Sequence, residues 1–288
     1  MMKKQLERLR PRYFRYGVMA GLLLFAGIVR SNAQEITNRL QGYFKATSDT
    51  TLYSHFTFDG NGKVDIVGLG DGYYFQKGDS LIIYPDKSMF KFLVKGDQLV
   101  GVSEWVGGGV WIYVKDTVVE NKRSDPEAAD RIAGLMNRYY DVTTKNEMAF
   151  LDGTGDDFSL EIKNLCDSGL SKACLDYAGL KMIENMGGLG AILEGKDVPL
   201  KKEGDPEVLA LIEKALQLGD MEGYAVLGGY YSMLQNQEKA KEVLEKGSEL
   251  GCRRCVWAAF SLALEQDAQK AKTGEKKETP KKGVKKKQ

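Results

Sequence analysis

The sequence predicts an α+β protein of two domains: an antiparallel β-meander or partial barrel, followed by a short α/α solenoid. Three observations carry this. Between about residues 50 and 118, short β-branched and aromatic runs alternate with Gly- and Asx-bearing turns. From residue 125 the apolar period changes from two to between three and four. Three later segments, 158–181, 208–231 and 240–263, align with one another as helix-turn-helix units.

With 288 residues and 43% hydrophobic content, the chain is long enough to bury two modest cores. The net charge of +1 hides an uneven distribution. Residues 1–33 carry +6 and residues 269–288 carry +7, which leaves −12 on residues 34–268. A body this acidic argues against general nucleic-acid binding, which needs a basic footprint on the fold itself.

Residues 1–33 read as an export signal. Lys3, Lys4, Arg8, Arg10, Arg12 and Arg15 precede a 13-residue apolar run at 17–29, and Ser31-Asn32-Ala33 supplies small residues for cleavage between Ala33 and Gln34. The run is short of the ~20 residues that a spanning helix takes. No Cys follows it, so lipidation of a new N-terminal Cys is not expected. The expected location is periplasmic or extracellular. Residues 34–49 are expected to be a linker or leading helix.

The all-β domain is placed at 50–120. Its runs are LYSHFTF (52–58), KVDIVG (63–68), DGYYFQ (71–76), SLIIYP (80–85), MFKFLVK (89–95), QLVGVSE (98–104) and VWIYVK (110–115). The rhythm and the Lys-Gly-Asp turns at 77–79 and 95–97 resemble the compact lipocalin-like domains of exported bacterial proteins. Trp105, Trp111 and Tyr113, beside Gly107-Gly108-Gly109, would line a small apolar ligand pocket if they faced a mouth, and are core and hairpin residues if they face inward.

The helical domain is placed at 125–265, opening with a helix that carries Ala129, Ile132, Leu135, Met136 and Tyr139. The first helix of each aligned unit bears one apolar stripe: Phe158, Ile162, Leu165 and Cys166; Val208, Leu211, Ile212 and Ala215; Ala240, Val243, Leu244 and Gly247. Each ends at a glycine, Gly169, Gly219 or Gly251, where a left-handed residue can close the last turn. Ala173, Gly223 and Cys255 then let a second helix approach closely. Residues 183–202 read as an insertion between the first two units. The run NQEKAKEVLEKGSELG (236–251), together with Gly223-x-x-x-Leu227-Gly228-x-x-Tyr231 and DPEVLALIEKALQLG (205–219), resembles the Sel-one-like repeat, a relative of the tetratricopeptide repeat. The similarity covers about residues 157–265. It implies stacked helix pairs holding a protein or peptide partner, with Tyr224, Tyr230, Tyr231 and Trp257 as candidate contacts. In the third unit, Trp257 and Phe260 are the bulky residues expected of a terminal repeat.

All four cysteines lie in this domain. The turn at Gly169 brings Cys166 and Cys174 face to face, and disulfide-bearing Sel-one-like proteins are similar here, with Cys-x7-Cys across the same turn. Cys252 and Cys255 form a Cys-x-x-Cys at a helix start, open to a local disulfide, a thiol redox role, metal binding or other pairings.

No catalytic constellation emerges. The single histidine, His55, sits in a strand run, so Ser-His-Asp and Cys-His systems have one base at most, and sites of several histidines are excluded. Gly187-Gly188-Leu189-Gly190 follows a helix and lacks the Gly-Lys-Ser/Thr of a phosphate loop. Asp152, Asp156, Asp157 and Glu161 break the calcium-loop pattern, with Asp157 where glycine is needed. The expectation is a non-enzymatic interaction scaffold without cofactor or metal. The alternatives are small apolar ligand binding by the β-domain and thiol redox through Cys252 and Cys255. Residues 266–288, rich in Lys and devoid of aromatics, are expected to be a disordered tail in weak contact with anionic surfaces at most.

Overall fold

The computed structural model describes residues 35–273, apart from 68–69, 86–87, 116, 118, 120–124, 146–155 and 197–202. Of Asp156 and residues 265–273 it describes the backbone only. The expected export signal with its Ala33-Gln34 junction, and residues 274–288 of the Lys-rich tail, lie outside the described residues.

Among the described residues nine strands form the β-domain: β1 (Ile36–Thr37), β2 (Gln41–Ala46), β3 (His55–Asp59), β4 (Lys63–Ile66), β5 (Gly70–Lys77), β6 (Ser80–Tyr84), β7 (Phe90–Lys95), β8 (Gln98–Gly101) and β9 (Val110–Tyr113). From β2 on, each pairs antiparallel with the next, and β9 returns to β2 with Phe44 opposite Tyr113 and Ala46 opposite Trp111. The eight strands β2–β9 thus close an up-and-down barrel, and β1 adds to β5. The stretch expected as a linker or leading helix therefore carries two strands, Ile36–Thr37 and Gln41–Ala46. The GYFKA run is too short and mixed to announce a strand, and it becomes one because both β3 and β9 need a partner for their backbone groups.

Eight strands leave an interior just wide enough for side chains, and aromatic rings fill it. Phe56, Phe92 and Trp111 meet pairwise, edge to face, with each pair of ring centroids 5.4 Å apart, and Phe58 meets Tyr74 at 5.0 Å. The indole N–H of Trp111 donates to the Tyr53 carbonyl at 2.8 Å, so its one polar atom is satisfied in the core.

Among the described residues eight helices follow: α1 (Pro126–Lys145), α2 (Asp156–Asp167), α3 (Ser171–Asn185), the short α4 (Gly188–Leu193) inside the expected insertion, α5 (Pro206–Gln217), α6 (Glu222–Met233), α7 (Gln237–Glu249) and α8 (Arg253–Thr273). Local chemistry starts two of them. The Asp205 carboxylate accepts from the N–H groups of Glu207 and Val208 ahead of Pro206, and the Asn236 side chain accepts from Lys239 N–H. Consecutive helices pack as α2 on α3, α5 on α6 and α7 on α8, with α5 also against α3 and α7 against α6. Gly169, Gly219 and Gly251 have φ of 96°, 83° and 91°. Disulfides join Cys166 to Cys174, across the α2–α3 turn, and Cys252 to Cys255, at the start of α8. Such bonds persist in a non-reducing compartment. Among the described residues, no helix is long and apolar enough to cross a membrane. The helix α8 runs through residues 266–273, the first part of the expected disordered tail. The Ala-, Gln- and Lys-rich stretch here favours helix and meets no stop before Gly274.

The two parts share a core. Phe75, Ile82 and Tyr84, on the outer face of β5 and β6, pack in one cluster with Ala133, Met136 and Tyr139 of α1 and with Phe158, Ile162, Ala173 and Cys174 of α2 and α3. Packing is close between the later helices as well. A Cβ on Gly228 of α6 would lie 2.5 Å from Leu244 Cγ and Cδ2 of α7, whereas one on neighbouring Gly229 meets nothing within 4 Å. Gly228→Ala is therefore expected to lower stability by about 1–3 kcal/mol. Gly229→Ala is expected to raise it by about 0.5–1 kcal/mol through helix propensity. Denaturant midpoints of the two variants check the opposite signs.

Candidate functional site

The pleat that turns Val64, Ile66 and Tyr74 inward turns Lys63, Asp65, Asp71 and Tyr73 outward on β4 and β5. Facing them are the turns between paired helices: Ser171 after Gly169, Asp220 and Glu222 after Gly219, and Arg253 and Arg254 after Gly251. The Tyr73 phenol lies 2.5 Å from Asp220 Oδ2, to which it donates, and 2.6 Å from Ser171 Oγ. Asp220 is only 2% exposed, and its other carboxylate oxygen accepts from Glu222 N–H. Arg253 makes a two-pronged pair with Asp65, at 3.1 and 2.6 Å, and Arg254 pairs with Glu222 at 3.0 Å.

Lys63, Asp65, Asp71, Tyr73, Asp220, Glu222 and Arg253 border a cleft of about 530 Å³ between β4–β5 and the α5–α6 and α7–α8 turns. The Lys63 ammonium sits 3.3 Å from the centroid of the Tyr73 ring. Burial pulls the Lys63 pKa down, against the opposing charges of Asp220, Asp71 and Asp59. Burial, and then the Asp220 charge, hold the Tyr73 phenol well above its ordinary range. Glu222 is also raised by burial, with Arg254 working the other way. A second junction cluster lies on β6, α1 and α3. There Tyr139 donates to Asp176 at 2.5 Å, Lys172 lies 3.7 Å from the same carboxylate, and the Lys172 ammonium faces the Tyr139 and Tyr84 rings at 5.3 and 5.7 Å. Both are arrangements that hold surfaces in register. Among the described residues no group of three or more His, Cys, Asp or Glu is placed to hold a metal ion.

The structure separates the residues the sequence nominated. Trp111 is 1% exposed in the barrel core, and Trp105 is 59% exposed in the β8–β9 loop. Both border a shallow cleft of about 370 Å³ with the β2–β3 loop, and Tyr113 is not part of its lining. Tyr230 is a core residue at 4% exposure, its hydroxyl accepting from Asp205 N–H at 2.8 Å. Tyr224 and Tyr231, both half-buried, line a groove of about 540 Å³ over α5, α6 and α7, with Leu216, Leu227 and Val243 among its apolar neighbours and Glu213, Glu242 and Lys246 among its polar ones. Trp257 lies outside that groove, on the outer face of α8, 69% exposed. Cys252 and Cys255 are both buried.

Sequence reasoning missed the junction trio Lys63, Tyr73 and Asp220. Outward polar residues on β4 and β5 were a visible signal, but Tyr73 and Asp220 are 147 residues apart and nothing local says that they meet. No protein-family model, curated protein or solved structure matches the chain.

Tyr73, Tyr84 and Tyr139 all have pKa values raised, chiefly by burial, above the ordinary value of 10.0. Their contribution is complete below pH 10 and is lost as pH rises beyond it, because the unfolded chain releases phenolic protons that the folded chain holds. Stability is expected to fall by up to about 1.4 kcal/mol per pH unit for each of the three. Tyr73→Phe should flatten that alkaline slope and, by leaving buried Asp220 short of a donor, cost about 1–3 kcal/mol at neutral pH. Chemical denaturation across the alkaline range measures both effects.

Proposed function

We propose that this chain is an exported, non-enzymatic scaffold that holds a protein or peptide partner in the groove over α5, α6 and α7. The groove carries the reading: two half-buried tyrosines and four aliphatic side chains beside charged residues match the composition of peptide- and protein-binding surfaces, where aromatic anchors are bordered by polar groups. The pairwise packing of α2 on α3, α5 on α6 and α7 on α8, with a left-handed glycine at each turn, supports reading the domain as a short solenoid of Sel-one-like helix pairs. Two disulfides and the N-terminal cationic and apolar pattern support export.

The competing readings have less behind them. An apolar ligand inside the barrel would have to displace the packed rings of Phe56, Phe92 and Trp111. Thiol exchange through Cys252 and Cys255 needs an accessible sulfur, and both are buried.

Protein isolated from the exporting host is expected to begin at Gln34, read by intact mass. A chain still carrying Met1 defeats the export reading. Affinity recovery from the native envelope should yield a partner with the wild-type chain and lose it with Tyr231→Ala and Val243→Glu, while Trp105→Ala retains it. Recovery that instead follows Trp105 would move the binding surface to the barrel loops.

A further inference from the structure

The helix α8 carries apolar side chains on two opposite sides. Cys255 and Leu262 face the core they share with α7 and α6. Val256, Trp257, Phe260 and Leu264 are 54%, 69%, 58% and 54% exposed. At about 100° per residue these four fall within an arc of about 100°, one continuous stripe along the helix. Trp257 and Phe260, expected as the bulky residues that close a terminal repeat, turn outward instead, whereas the last helix of a stack ordinarily presents a polar outer face, since nothing follows to cover it. Here the outer face bears a Trp, a Phe and two aliphatic residues, and it needs an occupant.

The sequence that follows says which kind. Residues 269–288 carry nine Lys against two Glu, and even with Glu265 and Asp267 included the balance stays strongly positive. This segment has no aromatic residue and no apolar one larger than Val284, so it supplies charge and almost no burial of its own. A second copy seated on the stripe would bring two such segments together and repel. An anionic surface would attract both the segment and the helix that leads into it. An exposed Trp-Phe-Leu face joined to a polybasic run is the two-part chemistry of attachment to a charged bilayer, where neither part is strong alone.

We propose that the outer face of α8 docks on the surface of an anionic phospholipid bilayer, with Trp257, Phe260 and Leu264 entering the headgroup boundary and the following lysines binding lipid phosphates. The surface lies apart from the α5–α7 groove, so the chain would present its partner at a membrane face without spanning it.

The test is co-sedimentation of the full chain, as recovered from its exporting host, with vesicles of phosphatidylglycerol mixed into phosphatidylcholine and with vesicles of phosphatidylcholine alone. Binding is expected only to the anionic vesicles, and it should weaken by about tenfold or more in about 1 M salt, where screening is nearly complete. Trp257→Glu with Phe260→Glu should reduce it by a similar factor, as should replacing Lys281, Lys282, Lys285, Lys286 and Lys287 by Gln. Both substituted aromatics are exposed, so the thermal midpoint should not move. In a Trp105→Phe background, Trp257 emission should shift to the blue on the anionic vesicles. The proposal is overturned by wild-type protein that stays in the supernatant, by a Trp257/Phe260 variant that sediments as well as wild type, or by a dimer in light scattering that the same pair of substitutions breaks.

Discussion

The burial of the β5–β6 hairpin on both faces is the constraint from which the rest of the structure follows. Its inward residues, Tyr74, Leu81 and Ile83, belong to the barrel core, and its outward residues, Phe75, Ile82 and Tyr84, to the core shared with α1, α2 and α3. Burying each such side chain stabilises by about 1.5–3 kcal/mol. The ion pairs that cross the same junction, Arg253 to Asp65 and Arg39 to Asp130, are substantially exposed and contribute about 0–1 kcal/mol each. The apolar hairpin therefore holds barrel and helices together, and the charged pairs select the register in which they meet.

The polar junction is intelligible only inside that frame. A buried carboxylate such as Asp220 is costly unless something donates to it, and Tyr73 reaches it because the hairpin fixes β5 against the helix turns. Lys63 shares the same pocket, its ammonium over the Tyr73 ring and within the field of four carboxylates. Charge, ring and hydroxyl are thus satisfied mutually, and the cluster reads as a weld with its own pH response.

With barrel and helices joined along one side, the surfaces left for partners lie on the far helices. The α5–α7 groove is apolar at its tyrosines with charged neighbours, and the α8 stripe is apolar and adjoins a strongly basic segment. They differ in the chemistry they would accept. A peptide can thread a groove, whereas a convex helix face followed by lysines suits an extended anionic plane. The buried Cys252–Cys255 disulfide, at the start of α8, braces the end of the helix nearest the barrel.

Much of this was legible from local pattern. Strand rhythm and turn residues marked seven of the strands, the apolar stripes of α2, α5 and α7 marked their buried faces, and the glycines at 169, 219 and 251 marked the turns, because each rests on interactions within a few residues. Chain reversal at Gly169 likewise placed Cys166 beside Cys174. What tertiary structure alone decided has a common cause in long-range pairing. Barrel closure made a strand of 41–46, since only β9, some seventy residues on, supplies its second partner. Packing sorted adjacent tyrosines with similar surroundings in sequence into core Tyr230 and groove Tyr231. The meeting of Tyr73 with Asp220 depends on a shared core that no window of sequence contains, because hydrophobic burial is non-directional and its partners are chosen by the whole fold.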